Sequence, residues 1–274
     1  MSRLKVFVQL AWGGLALAER ATGVVQVSQD LARKETGFKL RGETINLATP
    51  AEQAEELEKF AEAQKKHGFS YLYELASIRL WGILEALVDE TCVRSLLDNA
   101  NLSDLDSMKS LKAPVVEFLN LSEQEKAVYL VDLLKQKVTA SLKPGIGRFE
   151  SVLDQVGLGG GVKKRIRRTL LELSQIRNVL VHCNGNADSR IVKHCPWLGL
   201  KIDDKVYLTG EHFSRYITAS YWYIVELSIR WDMKHPPEKP EEYATIEELK
   251  SSQDALLDRL EAQWATSNPT STGP

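Results

Sequence analysis

Cysteine is scarce in this chain. Cys92, Cys183 and Cys195 are the only three among 274 residues. An odd count with no Cys-x-x-Cys pair argues against a disulfide scaffold and fits a reducing compartment, so a cytoplasmic location is expected. Gly and Pro, at 17 and 9 residues, are too few for a low-complexity or collagen-like chain. Neither sign of charge dominates: 35 Lys and Arg against 37 Asp and Glu leave a net charge of −2. A globally basic nucleic-acid coat is excluded, and any such contact must come from a local patch. Long apolar runs are also missing, so no membrane partner is expected. One stretch imitates a secretory signal. Arg3 and Lys5 precede the mostly apolar Val6 to Ala18, which closes on Ala16-Leu17-Ala18. Gln9 and Gly13-Gly14 interrupt it, and a buried first helix is the favoured reading.

Helical periodicity is what the sequence does have. Residues 24–48 read as loop with one short strand or helix. Thr49-Pro50 starts a helix, with Thr as N-cap and Pro at the first position, and Gly68 can close it. Further helices are predicted over 69–98, 122–142, 147–157 and 162–183. Ser122 and Glu125 form a capping box at the second of these. Residues 184–199 read as loop, and 200–208 alternate around Asp203-Asp204 as a small hairpin. A last major helix is predicted over 209–234, with Phe213, Ile217, Tyr221, Ile224, Leu227 and Trp231 as its core line. A Pro-rich linker, an amphipathic helix over 245–265 and a disordered tail follow. The expected fold is all-α, a helical bundle with a small β-hairpin insertion and extra N- and C-terminal helical segments. The expected divisions are 1–68, 69–235 and 236–274.

The informative segment is Leu171 to Arg190, which holds Arg177-Asn178-Val179-Leu180-Val181-His182 near a helix C-terminus. The Arg-x4-His spacing alone carries little weight, because Arg230 and His235 repeat it. That second copy lacks the Asn and runs into Pro236-Pro237. On a helical wheel with Leu170 at zero, Arg177 falls at about 340°, inside the apolar arc. A guanidinium there needs a carboxylate or a phosphate, since it cannot shed its charge. Glu74 and Glu85 are candidate internal partners. Asn178 and His182 lie near 80–120° as an i, i+4 pair able to meet. Lys163-Lys164-Arg165-Ile166-Arg167-Arg168 puts five cations at the start of the same helix, against its dipole. Lys164, Arg167 and Arg168 share the face of Asn178 and His182 over roughly 27 Å, and read as a phosphate track or as a solvated basic face.

This segment resembles the HEPN superfamily (higher eukaryotes and prokaryotes nucleotide-binding), all-α bundles with an Arg-x4-6-His motif in which Asn, Asp or another polar residue often follows the Arg. His182-Cys183-Asn184-Gly185-Asn186-Ala187-Asp188 and Cys195-Pro196-Trp197-Leu198 extend the resemblance toward uncharacterised bacterial members. It covers roughly residues 69–235. It implies a metal-independent endoribonuclease acting as a homodimer, with RNA as substrate, no cofactor, and a possible regulatory protein partner. Phage defence, a toxin system or a stress response would be the setting. Arg177 would bind the scissile phosphate, His182 would transfer the proton, and Asn178 would orient one of them; Lys164, Arg167 and Arg168 would bind RNA. Members of a toxin branch carry a Tyr two residues after the His. Asn184 stands there in this chain, so regulation through that Tyr is not implied. The alternative is a catalytically silent HEPN module that binds RNA, a nucleotide or a protein. A zinc site from His182, Cys183, His194 and Cys195 is disfavoured by its spacing. Gly157-Leu158-Gly159-Gly160-Gly161 follows a helix and lacks the Lys-Ser/Thr of a phosphate loop.

Overall fold

The computed structural model describes residues 38–40, 43–45, 59, 64, 66, 68–98, 108–112, 118–139, 143–236 and 244–267. The signal-like N-terminal stretch and most of the helix expected after Thr49 lie outside them. The chain divides into two units: Met1–Ala76 with Tyr207–Gly210, and Ser77–Val206 with Glu211–Pro274. The helix after Pro240, expected as a separate appendage, thus belongs to the same unit as residues 162–183.

Architecture among the described residues is mostly helical. Two three-residue strands, β1 (Phe38–Leu40) and β2 (Glu43–Ile45), pair antiparallel with Phe38 opposite Ile45. Seven α-helices follow: α1 (Ser70–Leu97), α2 (Glu123–Thr139), α3 (Ile146–Gln155), α4 (Lys164–His182), α5 (Ser189–His194), α6 (Gly210–Lys234) and α7 (Ile246–Ser267). No described helix is long and apolar enough to cross a membrane.

In the first unit, Gly68 at φ 60° reverses the chain, and the Phe69 amide donates to the Gln64 carbonyl at 2.7 Å. This is the left-handed closure that glycine permits. Ser70 then donates to Glu74 Oε1 at 2.7 Å and accepts the Leu208 amide at 2.7 Å.

The second unit is built around α4. Leu80, Leu84, Val88, Cys92 and Leu96 form a four-residue repeat on α1 and are buried, the stripe a packed helix requires. The α2 capping box is present: the Glu125 amide donates to Ser122 Oγ, and the Ser122 amide donates to Glu125 Oε2 at 2.8 Å. On α4 the buried residues run almost round the axis, from Ile166 and Leu170 through Glu172, Leu173, Gln175 and Ile176 to Val179. A helix covered on most sides is the centre of a bundle, and α3, α5 and α7 all pack against it. Gly145 lets the start of α3 approach closely, because a Cβ there would meet Leu171 Cα at 3.0 Å.

Three expectations are corrected. Residues 200–208 do not form a hairpin with one another. Asp204 closes a turn onto the Lys201 amide at 2.7 Å, and the segment then pairs with the loop after α4 through Asn186 and Lys205. Only Val206 and Leu208 are buried as the alternation predicts, Ile202 is 60% exposed, and the bridging partner is distant in sequence. Residues 184–199 contain α5, which Asp188 caps by accepting the Arg190 and Ile191 amides. On α6, Phe213 and Leu227 are buried as expected, while Ile217, Tyr221, Ile224 and Trp231 are only partly covered. Arg215, Tyr216, Ala219, Ser220, Trp222 and Tyr223 take the interior instead.

Candidate functional site

The end of α4 is set by local chemistry. The Cys183 and Gly185 amides both donate to the Val179 carbonyl, at 3.0 and 3.1 Å, with Asn184 and Gly185 at positive φ. This closure fixes the turn from which His182 projects. His182 is exposed, and Arg177 and Asn178 are half-buried. Arg177 Nη1 donates to Asn178 Oδ1 at 3.2 Å. Asn178 and His182 follow each other at one helical turn on the same face. The guanidinium, placed within the apolar arc by the wheel, therefore turns out toward the amide that shares its face with the imidazole. Arg177 forms no ion pair with a carboxylate among the described residues. Glu74, one of its expected partners, instead accepts Ser70 Oγ.

The second Arg-x4-His copy is arranged differently. Arg230 Nη1 donates to Glu150 Oε2 at 2.8 Å, and Arg230 Nε donates to Glu226 Oε1 at 2.9 Å. His235 stacks on Trp231 with ring centroids 4.4 Å apart. The glycine loop wraps this arginine: the Leu158 carbonyl accepts from Nη1, and a Cβ at Gly160 would collide with the guanidinium. Arg230 is thus committed to two carboxylates, whereas Arg177 holds a single neutral amide.

The basic cluster at the start of α4 divides. Lys164 and Arg167 are exposed. Arg168 is drawn inward between two indoles, its guanidinium carbon 4.2 Å from the Trp197 ring centre and 4.8 Å from that of Trp264. Arg165 pairs with Glu261 at 2.9 Å. Between Arg167 and Asn178 the shared face is not continuously open. Gly145 lies against Leu171, and Ser174 and Gln175 are buried, with Gln175 Oε1 3.4 Å from His194 Nδ1. The structure brings Arg177, Asn178 and the His182 turn together, but separates them from Lys164 and Arg167 by a covered stretch.

Sequence reasoning did not find the polar centre of the unit. Glu172 is fully buried, accepting Trp197 Nε1 at 2.7 Å, the Tyr216 hydroxyl at 2.8 Å and Arg215 Nη2 at 3.3 Å. Burial and the adjacent Glu172 carboxylate push the Tyr216 phenol well above its ordinary range, so it serves as a donor. No sequence signal pointed to this centre, since with Leu170 at zero Glu172 falls at about 200°, outside the apolar arc. Cys92 and Cys195 are not activated. Burial raises both Cys92 and Cys195 to about 12, which leaves them as protonated thiols. Among the described residues, no group of three His, Cys, Asp or Glu side chains is arranged to hold a metal ion.

No family model, curated protein or solved structure matches this chain.

Proposed function

We propose that this chain is a HEPN-type, metal-independent endoribonuclease, working in the cytoplasm as a homodimer whose two motif copies line one cleft. The observation that carries the reading is the contrast between its two Arg-x4-His pairs. Arg230 is neutralised by Glu150 and Glu226. Arg177 has no carboxylate partner among the described residues, bonds Asn178, and stands beside the turn that exposes His182. A half-buried guanidinium with that freedom is suited to an external phosphate.

In this reading His182 takes the proton from a ribose 2′-hydroxyl as its oxygen attacks phosphorus while water protonates the departing 5′-oxygen, or His182 protonates that oxygen while water takes the 2′ proton. The P–O5′ bond breaks, leaving a 2′,3′-cyclic phosphate and a free 5′-hydroxyl. The Arg177 fork holds the non-bridging oxygens as their charge grows, and Asn178 fixes the guanidinium. DNA lacks the nucleophile and is left intact. Lys164 and Arg167 bind more distant phosphates, and phage defence, a toxin system or a stress response is the proposed setting.

The competing reading is a silent HEPN module that binds RNA, a nucleotide or a regulatory protein. It is favoured by the lack of any described residue hydrogen-bonded to His182 to aim its ring. The two readings separate with labelled RNA in EDTA, comparing wild type with His182→Ala. Cleavage lost by about 10²-fold or more in the variant supports the nuclease. Salt-sensitive binding without cleavage by either protein overturns it in favour of the module.

A further inference from the structure

A phosphate brought to His182 meets an electrostatic obstacle. His182 is the last residue of α4, and a helix C-terminus carries about half a negative charge on its unsatisfied carbonyls. An anionic substrate is disfavoured there unless a cation offsets that field.

The fold supplies one from a distant part of the sequence. After α4 the chain runs through α5 and returns, so that residues 203–206 lie antiparallel to 185–187. The Val206 amide donates to the Gly185 carbonyl at 2.9 Å, the Ala187 amide to Asp204 O at 2.8 Å, and the Asp203 amide to Ala187 O at 2.9 Å. Asn186 stands opposite Lys205 in this pairing. Lys205 Nζ then reaches back to the Asn184 carbonyl at 2.5 Å, two residues beyond His182. Gly185 makes room for it, since a Cβ there would come within 2.9 Å of Nζ. Lys205 is exposed, and it has no carboxylate partner among the described residues. Its ammonium retains two further N–H donors.

We infer that Lys205 is a phosphate-contacting residue of the proposed ribonuclease site. Its ammonium, held on Asn184 at the C-terminal end of α4, reverses the unfavourable helix field and receives an RNA phosphodiester next to His182. This assignment rests on the RNA reading above. It places a fourth residue in the site, 23 positions beyond His182 in the chain and outside the Arg-x4-His motif.

The alternative role for Lys205 is a structural cap on the helix end, and a substitution series separates the two. Lys205→Gln keeps an N–H donor without the charge, Lys205→Ala removes both, and Lys205→Arg keeps the charge. Binding of a fluorescent single-stranded 2′-O-methyl RNA, which cannot be cut, is measured across a salt series beside the melting temperature of each variant. Lys205→Ala and Lys205→Gln should both weaken binding several-fold at low salt and make the log–log salt slope shallower by about 0.7. Lys205→Arg should retain the wild-type slope. An unchanged slope in the two neutral variants overturns the assignment, as does a loss confined to Lys205→Ala that follows its melting temperature. If wild type cleaves RNA while the slopes stay equal, only the Lys205 role falls. If wild type neither cuts RNA nor binds it in a salt-dependent way, the ribonuclease reading falls as well.

Discussion

Arg230 Nη1 lies 2.8 Å from Glu150 Oε2, and Tyr223 donates to the other oxygen of that carboxylate at 2.6 Å. A buried pair of this kind is costly to break, because the surviving charge stays in a poorly solvated place. Arg230→Ala should therefore lower the unfolding free energy by about 3–5 kcal/mol. Arg177→Ala removes no ion pair with a described carboxylate and should cost less than about 1 kcal/mol. It should nevertheless slow the proposed RNA cleavage by about 100-fold or more. Urea titrations and a cleavage assay on both variants check this, and equal destabilisation would erase the distinction between the two motifs.

Glu172 makes a second test of the interior. Its charge is enclosed with Arg215, which is only 3% exposed, so Glu172→Gln should destabilise by about 3–5 kcal/mol. Replacing both partners, as in Glu172→Gln with Arg215→Met, should recover part of that loss. A double-mutant cycle in urea measures the coupling.

The thiols should behave unequally. Cys92 and Cys195 are buried and their thiols are pushed up to about 12, whereas Cys183 is half-buried at the end of α4. At pH 8 a disulfide reagent should react with no more than one thiol per native chain, and with all three after denaturation. Reaction of Cys92 or Cys195 in the native protein would contradict the packing around α1 and α5.

Acid should weaken the fold through His212. Burial, then the nearby Arg215 guanidinium, holds this imidazole below its ordinary value, against the opposing pull of Glu172 and Glu211. The unfolded chain, with an imidazole near pKa 6.5, takes up the proton first as pH falls. Stability from His212 is therefore full above about pH 6.5 and is lost as pH drops toward the lowered folded value. Denaturation midpoints at pH 7.5 and 5.5 should differ less in His212→Gln than in wild type.

Local chemistry was legible in the sequence wherever partners sit within a few residues. The Ser122–Glu125 capping box and the extents of α4 and α6 are of this kind, as is the shared face of Asn178 and His182. What escaped depends on distant partners. Alternation over 200–208 reads as pairing with itself, while the segment instead meets residues 185–187 through a single antiparallel bridge. The six-residue α5 is too short for periodicity and announces itself only through Asp188. On α6 the expected apolar line missed Arg215 and Tyr216, because nothing local reveals that Glu172 of α4 awaits them. Arg168 likewise reads in the sequence as part of a phosphate track or a solvated basic face, whereas Trp197 and Trp264 flank its guanidinium. Lys205 could not be assigned to the motif without the return of the chain beside Gly185.

Helix α7 brings Leu260 and Trp264 into the interior, with Trp264 Nε1 donating to Thr169 Oγ1 at 3.1 Å and three guanidinium groups around its ring. During synthesis, the bundle cannot seal until residue 264 has left the ribosome. Until then Thr169 lacks its indole donor, and Arg165, Arg168 and Arg215 lack the ring against which they pack.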